Sequence, residues 1–176
     1  TAWDQARVLD PACGGGAFLA PVAGRMAAAL RAKGLKPKEA AETILKRVRG
    51  YEIDPFASWM AQVFLDLSLL RLCPQEDLEL QAVVETRDSL DVPARTPESF
   101  DLVIGNPPYG RSTLDAKVRS RFRRSLYGHA NLYGLFTDLA VRLTRSEGRI
   151  AFVTPTSFLG GQYFKNLREL LLREAP

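Results

Sequence analysis

Short apolar runs alternate along this chain with longer segments of helical period, the arrangement expected of a parallel α/β sheet with crossover helices. Arg7–Asp10 reads as a short first strand that ends at a turn over Pro11–Gly16. Ala17–Lys33 is an Ala-rich helix stopped by Gly34, and Pro37–Val48 is a second helix with proline in its first turn. Arg49–Ile53 is the second strand. Pro55 then opens a helix that runs to Leu72, ended by Pro74. Leu78–Glu85 alternates and carries Val83-Val84, which predicts a third strand leading to Asp88. Phe100–Gly105 is the fourth strand, and Gly110–Ala130 is a polar, basic loop with room for one or two helical turns. Asn131–Arg145 is helical with Asn131 as its N-cap, Arg149–Val153 is the fifth strand, and Gln162–Arg173 is a closing amphipathic helix.

The predicted fold is therefore a single α/β domain over residues 1–176 with a doubly wound, mostly parallel sheet. Such sheets bind ligands beyond the carboxyl ends of their strands, and the chemically suggestive residues of this chain fall there. The loop Asp10-Pro11-Ala12-Cys13-Gly14-Gly15-Gly16-Ala17-Phe18 joins a strand to a helix, with glycines that let the backbone turn tightly and approach a ligand. It lacks the G-x-G-x-x-G spacing and no Lys-Ser/Thr follows, which disfavours a pyrophosphate or triphosphate cradle and points to a smaller group. Glu52 ends the second strand, where one carboxylate suits the two hydroxyl donors of a ribose. Asp88 follows the third strand, where it can accept from an adenine amino group. Either acid taken singly is equally a helix cap or a surface charge; their succession at strand ends makes them a site.

The fourth strand ends in Asn106-Pro107-Pro108-Tyr109. The tetrapeptide resembles the turn with which methyltransferases of amino groups hold an adenine, whose amine is a poor nucleophile because its lone pair is delocalised into the ring. Two carbonyl acceptors that hold both N–H bonds turn that lone pair toward a methyl donor. Asn106 offers a side-chain carbonyl and Pro107 a main-chain one, while proline's fixed φ and missing N–H hold the turn without adding a competing donor. Tyr109 can stack on the base. In isolation the tetrapeptide is also an ordinary turn after a strand.

Taken in order, Asp10–Leu19, Glu52-Ile53-Asp54, Asp88-Ser89-Leu90, Asn106–Tyr109, Asn131–Phe136 and the tract from Gly148 to Arg168 resemble the gamma-class DNA adenine-N6 methyltransferases. The TaqI-like enzymes and the methylase parts of fused restriction–modification proteins are the relevant members. The resemblance implies a Rossmann-like class I methyltransferase that transfers a methyl group from S-adenosyl-L-methionine to the N6 amine of a flipped adenine in double-stranded DNA, within a restriction–modification or phage-defence system. It implies that Asp10, Ala12 and Gly14 line the methionine side of the cofactor, within a loop that includes Pro11, Cys13 and Gly16. Glu52 would hold the ribose, Asp88 with Ser89 the adenine edge, and Ile53 and Leu90 would clamp the adenine ring. Asn106, Pro107, Pro108 and Tyr109 would form the catalytic turn, with Asn106 also beside the cofactor. Phe164 would be a second aromatic against the flipped base, although an ordinary core residue on the last helix explains it as well.

Two departures from the family stand out: nine residues precede the first motif, and the chain stops at Pro176, before the family's last two strands and target-recognition domain. They lead to the expectation of a catalytic part of a longer protein, with a sheet cut after the fifth strand, weak cofactor binding, little DNA specificity, and a target-recognition or restriction subunit or domain as partner. Glutamine-N5 methyltransferases of release factors share Asn-Pro-Pro-Tyr, but their cofactor loop usually reads Asp-x-Gly-x-Gly. An RNA adenine methyltransferase and a non-catalytic DNA- or partner-binding fragment stay as alternatives.

Composition narrows the class further. Of 176 residues 46% are hydrophobic and 25% charged, the balance of a globular domain. No apolar run approaches the roughly 20 residues of a membrane span. Cys13 and Cys73 form no disulfide framework, and with His129 as the single histidine no metal site is expected, so a reducing, cytoplasmic setting follows. Net charge is +4, and Arg111–Arg124 concentrates six basic residues against the one acid Asp115. Arg111 and Arg119 are accordingly candidate phosphate contacts on DNA, though a solvated helix face also accounts for such charge.

Overall fold

A computed structural model describes residues 2–75, 77–91 and 100–175. Its first half contains β1 (Val8–Asp10), α1 (Leu19–Ala32), α2 (Pro37–Arg47), β2 (Val48–Glu52), α3 (Pro55–Leu70) and β3 (Val84–Thr86). There follow β4 (Phe100–Gly105), β5 (Arg111–Ser112), α4 (Ala116–Arg121), β6 (Ala130–Asn131), α5 (Leu132–Leu143), β7 (Thr144–Phe152), α6 (Ser157–Gly160) and α7 (Lys165–Glu174). Single 3-10 turns lie at Ser89–Asp91 and Gln162–Phe164.

Five strands form one parallel sheet in the order β3-β2-β1-β4-β7, while β5 and β6 pair antiparallel as a separate ribbon. The chain winds outward from β1 in both directions, so the topological switch point lies between β1 and β4, where a doubly wound sheet opens a ligand crevice. Alternation along the strands divides the core. Val8 and Leu102 face α1, α2 and α3, whereas Leu9 and Val103 face α5 on the other side. The expected doubly wound α/β fold is present. Among the described residues no helix is long and apolar enough to cross a membrane.

Four expectations need correction. The third strand is Val84–Thr86, not Leu78–Glu85. Gln62 on α3 explains the difference: its side-chain carbonyl accepts from Val83 N (2.9 Å) and Val84 N (3.0 Å), and its amide donates to Gln81 O. A side chain thus occupies backbone groups that an upstream strand would have paired. The helix after Asn131 stops at Leu143, and β7 starts directly at Thr144 with a bulge between the Phe100–Thr144 and Leu102–Arg149 pairs, turned by Glu147 at φ 62°. Asn131 occupies the N-cap position of α5 and pairs with Arg111 in the ribbon, but it makes no side-chain capping bond, and its Oδ1 is buried without a hydrogen-bond partner among the described residues. The closing helix begins only at Lys165, after the 3-10 turn over Gln162–Phe164.

Candidate active site

The carboxyl ends of β1 and β4 bring Asp10 and Gly105 face to face. Asp10 is 1% exposed, its Oδ1 accepts from Ala12 N at 3.1 Å, and its Oδ2 has no partner among the described residues. Burial pushes its carboxyl up to about 7; the Ala12 N–H opposes that rise and the charge of Glu52 adds to it. A Cβ at position 105 would stand 2.6 Å from Asp10 Oδ1, so only glycine fits there without displacement. That requirement places a glycine immediately before Asn106.

The Gly-rich loop is tied to the end of β2. Cys13 N donates to Tyr51 O at 3.0 Å, and Gly14 N donates to Glu52 Oε2 at 2.9 Å. Glu52 Oε1 accepts from Asp54 N at 2.9 Å. A carboxylate has about four acceptor positions, so Glu52 can shape the loop and still receive two hydroxyl donors. Gly16, at φ 86°, lies where an added Cβ would be 2.9 Å from Ala61 Cα, which lets the loop pack flat on α3. Cys13 turns into the core: it is buried, and desolvation with the charges of Asp10 and Glu52 pushes its thiol up to about 12. Beyond β3, Asp88 Oδ1 accepts from Leu90 N at 2.9 Å, and the Ser89 hydroxyl donates to Pro11 O at 2.5 Å. Three consecutive strand ends are thereby fastened to one another.

At the Asn106–Tyr109 turn, Asn106 and Pro108 are exposed and Pro107 is buried. The Tyr109 hydroxyl lies 2.6 Å from Asn106 Oδ1 and 3.2 Å from Val153 O, both acceptors for its single proton. Tyr109 meets the edge of Tyr133 at 6.2 Å, and Phe164 stacks on Tyr133 at 5.0 Å. Tyr133 thus stands between the two aromatics expected to flank a base, and Phe164 makes a second layer behind Tyr109. Tyr133 was not singled out from sequence, although it lies in the Asn131–Phe136 block.

A cavity of about 550 Å³ opens over these strand ends. Of the expected residues, Pro11, Ala12, Glu52, Ile53, Asp88, Ser89, Leu90, Asn106 and Pro108 line it. Asp10, Cys13, Gly14 and Gly16 are not among its lining; Pro107, Tyr109, Phe164, Arg111 and Arg119 also lie outside it. The opposite wall comes from Leu114 and Val118 with Phe136, and sequence reasoning missed all three as site residues. The basic segment is therefore part of the cavity wall, and its charges divide. Arg111, Lys117, Arg119 and Arg123 are exposed. Arg124 is bound to the fully buried Asp138 (2.8 Å) and to Glu174 (2.8 Å), and Arg121 donates to Leu90 O.

Residues 46–175 match the model of the Eco57I restriction-modification methylase family. The chain belongs to this family. Relatives within this sequence neighbourhood include the Type II methyltransferase M.XhoI of Xanthomonas vasicola, 30% identical over 97% of the chain and 32% of the relative. M.TthHB8I of Thermus thermophilus is 31% identical over 96% of the chain and 33% of its own length. The chain of this family member thus spans about a third of those relatives. The fold matches the M protein of the Type I restriction enzyme EcoKI, with a TM-score of 0.69 at 20% identity over 95% of the chain and 33% of that protein. It also matches the Type ISP restriction-modification enzyme LlaGI, whose structure holds a DNA substrate mimic, with a TM-score of 0.77 at 17% identity over 96% of the chain and 17% of that enzyme.

Proposed function

We propose that this restriction-modification methylase family member is the catalytic part of an S-adenosyl-L-methionine-dependent DNA methyltransferase acting on the N6 amine of adenine. The observation that carries the reading is the opening of Asn106, Glu52 and Asp88 onto one cavity at the switch point of the sheet. The relatives' names, Type II methyltransferases, agree with the reaction class. One fold match is described as a class I S-adenosylmethionine-dependent methyltransferase, which agrees with the cofactor.

The residues present fit that cofactor. The cavity lies within the roughly 300–1,000 Å³ of small-molecule sites. Glu52 retains acceptor capacity and would hold a ribose diol, Asp88 would accept from the adenine edge, and Ile53 with Leu90 would supply apolar walls for the ring. Asp10 acts from behind, holding the Ala12 amide that shapes the methionine side. The cofactor contributes an already activated methyl group on a sulfonium. This chain's part is orientation. Asn106 Oδ1 and the Pro107 carbonyl accept the two N–H bonds of the amine and turn its lone pair out of conjugation. Pro107 is buried, and Pro108 after it restricts its ψ and with it the direction of its carbonyl.

Adenine must leave the duplex to reach this turn, at a cost of about a few kcal/mol. Stacking on Tyr109 offsets about 1–3 kcal/mol of it, with Tyr133 and Phe164 bracing the phenol ring. Arg111 and Arg119 face solvent where they can meet phosphates, beside Lys117 and Arg123. Double-stranded DNA is thus the expected substrate, in a cytoplasmic restriction–modification or phage-defence setting with a target-recognition or restriction partner.

The test is transfer of tritium from methyl-labelled cofactor to duplex DNA, RNA or a release-factor peptide. Label in N6-methyladenine of DNA, abolished by Asn106→Ala, is the expected result. Label in RNA or in peptide glutamine would replace this reading with one of its rivals.

A further inference from the structure

The short helix α4 has two chemically different faces. Its inner face carries Val118, which lines the cavity, and Arg121, which donates to the main-chain carbonyl of Leu90 and lies 3.6 Å from the Asp91 carboxylate. Leu90 lines the same cavity, where under the proposed function it would wall the adenine ring. Arg119 points away from that inner face and is exposed, and Lys117 and Arg123, before and after it along the chain, are exposed too. The carboxyl end of α4 is fixed independently: Arg142 Nη2 donates to Arg121 O at 2.8 Å, and Arg142 is itself bonded to the buried Asp138.

Resting on the function proposed above, we infer that Arg121 is a positioning residue that couples phosphate contact on the outside of α4 to cofactor binding inside. Arg119 and Arg123 meet the DNA backbone and settle α4; the Arg121 guanidinium transmits that placement to the Leu90–Asp91 turn, and Val118 with Leu114 closes the cavity from the other side. Binding of each ligand then favours the same arrangement of α4. Such coupling is reciprocal, so the cofactor tightens DNA binding by the same factor.

The experiment is calorimetric titration of the protein with sinefungin, a non-reactive cofactor analogue, with and without a pool of random-sequence duplex DNA. Wild type is expected to bind sinefungin on the order of tenfold more tightly when DNA is present. Arg121→Ala keeps the Arg142 bond to its main chain. It is expected to retain each separate affinity within about threefold while the coupling factor falls toward one. Arg119→Ala is expected to weaken DNA binding, shallow its salt dependence and lower the coupling factor as well, because its phosphate contact is one of those that settle α4. A merely structural Arg121 would instead lower the thermal midpoint and both separate affinities together. Coupling absent in wild type, or undiminished in Arg121→Ala, overturns the inference while leaving methyl transfer to DNA intact as a reading. Failure of wild type to bind sinefungin at all overturns both.

Discussion

The phenol of Tyr109 lies 2.6 Å from Asn106 Oδ1, so the ring expected to stack on a base also reaches the carbonyl expected to hold that base's amine. The carbonyl has a second lone pair, and Val153 O, at 3.2 Å, offers the phenol another acceptor. Tyr109 can therefore hand over the Asn106 oxygen without leaving its place. Tyr109→Phe keeps the ring and frees the acceptor, and methyl transfer is expected to stay within about fivefold of wild type. Tyr109→Ala removes the stack, worth about 1–3 kcal/mol, and should lower kcat/KM by about 5- to 150-fold. Steady-state kinetics on DNA checks both; equal losses would show that the hydroxyl, not the ring, matters.

Gly105 is required by Asp10. A methyl group at 105 would sit 2.6 Å from a carboxylate oxygen that is itself buried. Gly105→Ala is expected to destabilise the fold by about 1–3 kcal/mol and to weaken sinefungin binding at least tenfold through the displaced Ala12 amide. Urea denaturation and calorimetry read the two effects separately.

Asp10 should leave a signature in the pH dependence of stability. Its carboxyl is raised from 3.8 to about 7 in the folded protein, so the folded state holds a proton that the unfolded chain releases. The sign follows from linkage: the contribution is fully present below about pH 4 and is lost as pH rises through about 7. Its upper bound is about 4 kcal/mol. Urea denaturation from about pH 4 to about pH 8 is expected to show this decline in wild type and a flatter profile in Asp10→Asn.

Asp138 is fully buried and accepts from Arg124, Arg142 and the Ser125 hydroxyl, the last at 2.6 Å. Asp138→Ala leaves two guanidinium groups without their shared partner. The expected loss is about 3–5 kcal/mol, the cost of breaking a buried pair from one side. Measured by urea denaturation, a loss under about 1 kcal/mol would mean that solvent replaces the carboxylate.

Much of this protein was legible one segment at a time. Strand ends at Asp10, Glu52 and Gly105, the Gly-rich turn and the Asn106–Tyr109 tetrapeptide depend on side-chain period, on glycine's freedom at positions such as Gly16, and on proline's fixed φ. Those are properties of neighbours along the chain. The tertiary structure decided which strands adjoin, and so brought Asn106 beside Glu52 and Asp88 at one switch point. It decided that Gln62 would shorten the third strand, that Tyr133 would stand between Tyr109 and Phe164, and that Leu114 and Val118 would wall the cavity. It also divided the basic run, binding Arg124 to Asp138 and turning Arg121 inward, which no count of charges reveals. The reason is common to all of these: a side chain's role here depends on partners far away in sequence, and only packing sets which partner lies within reach.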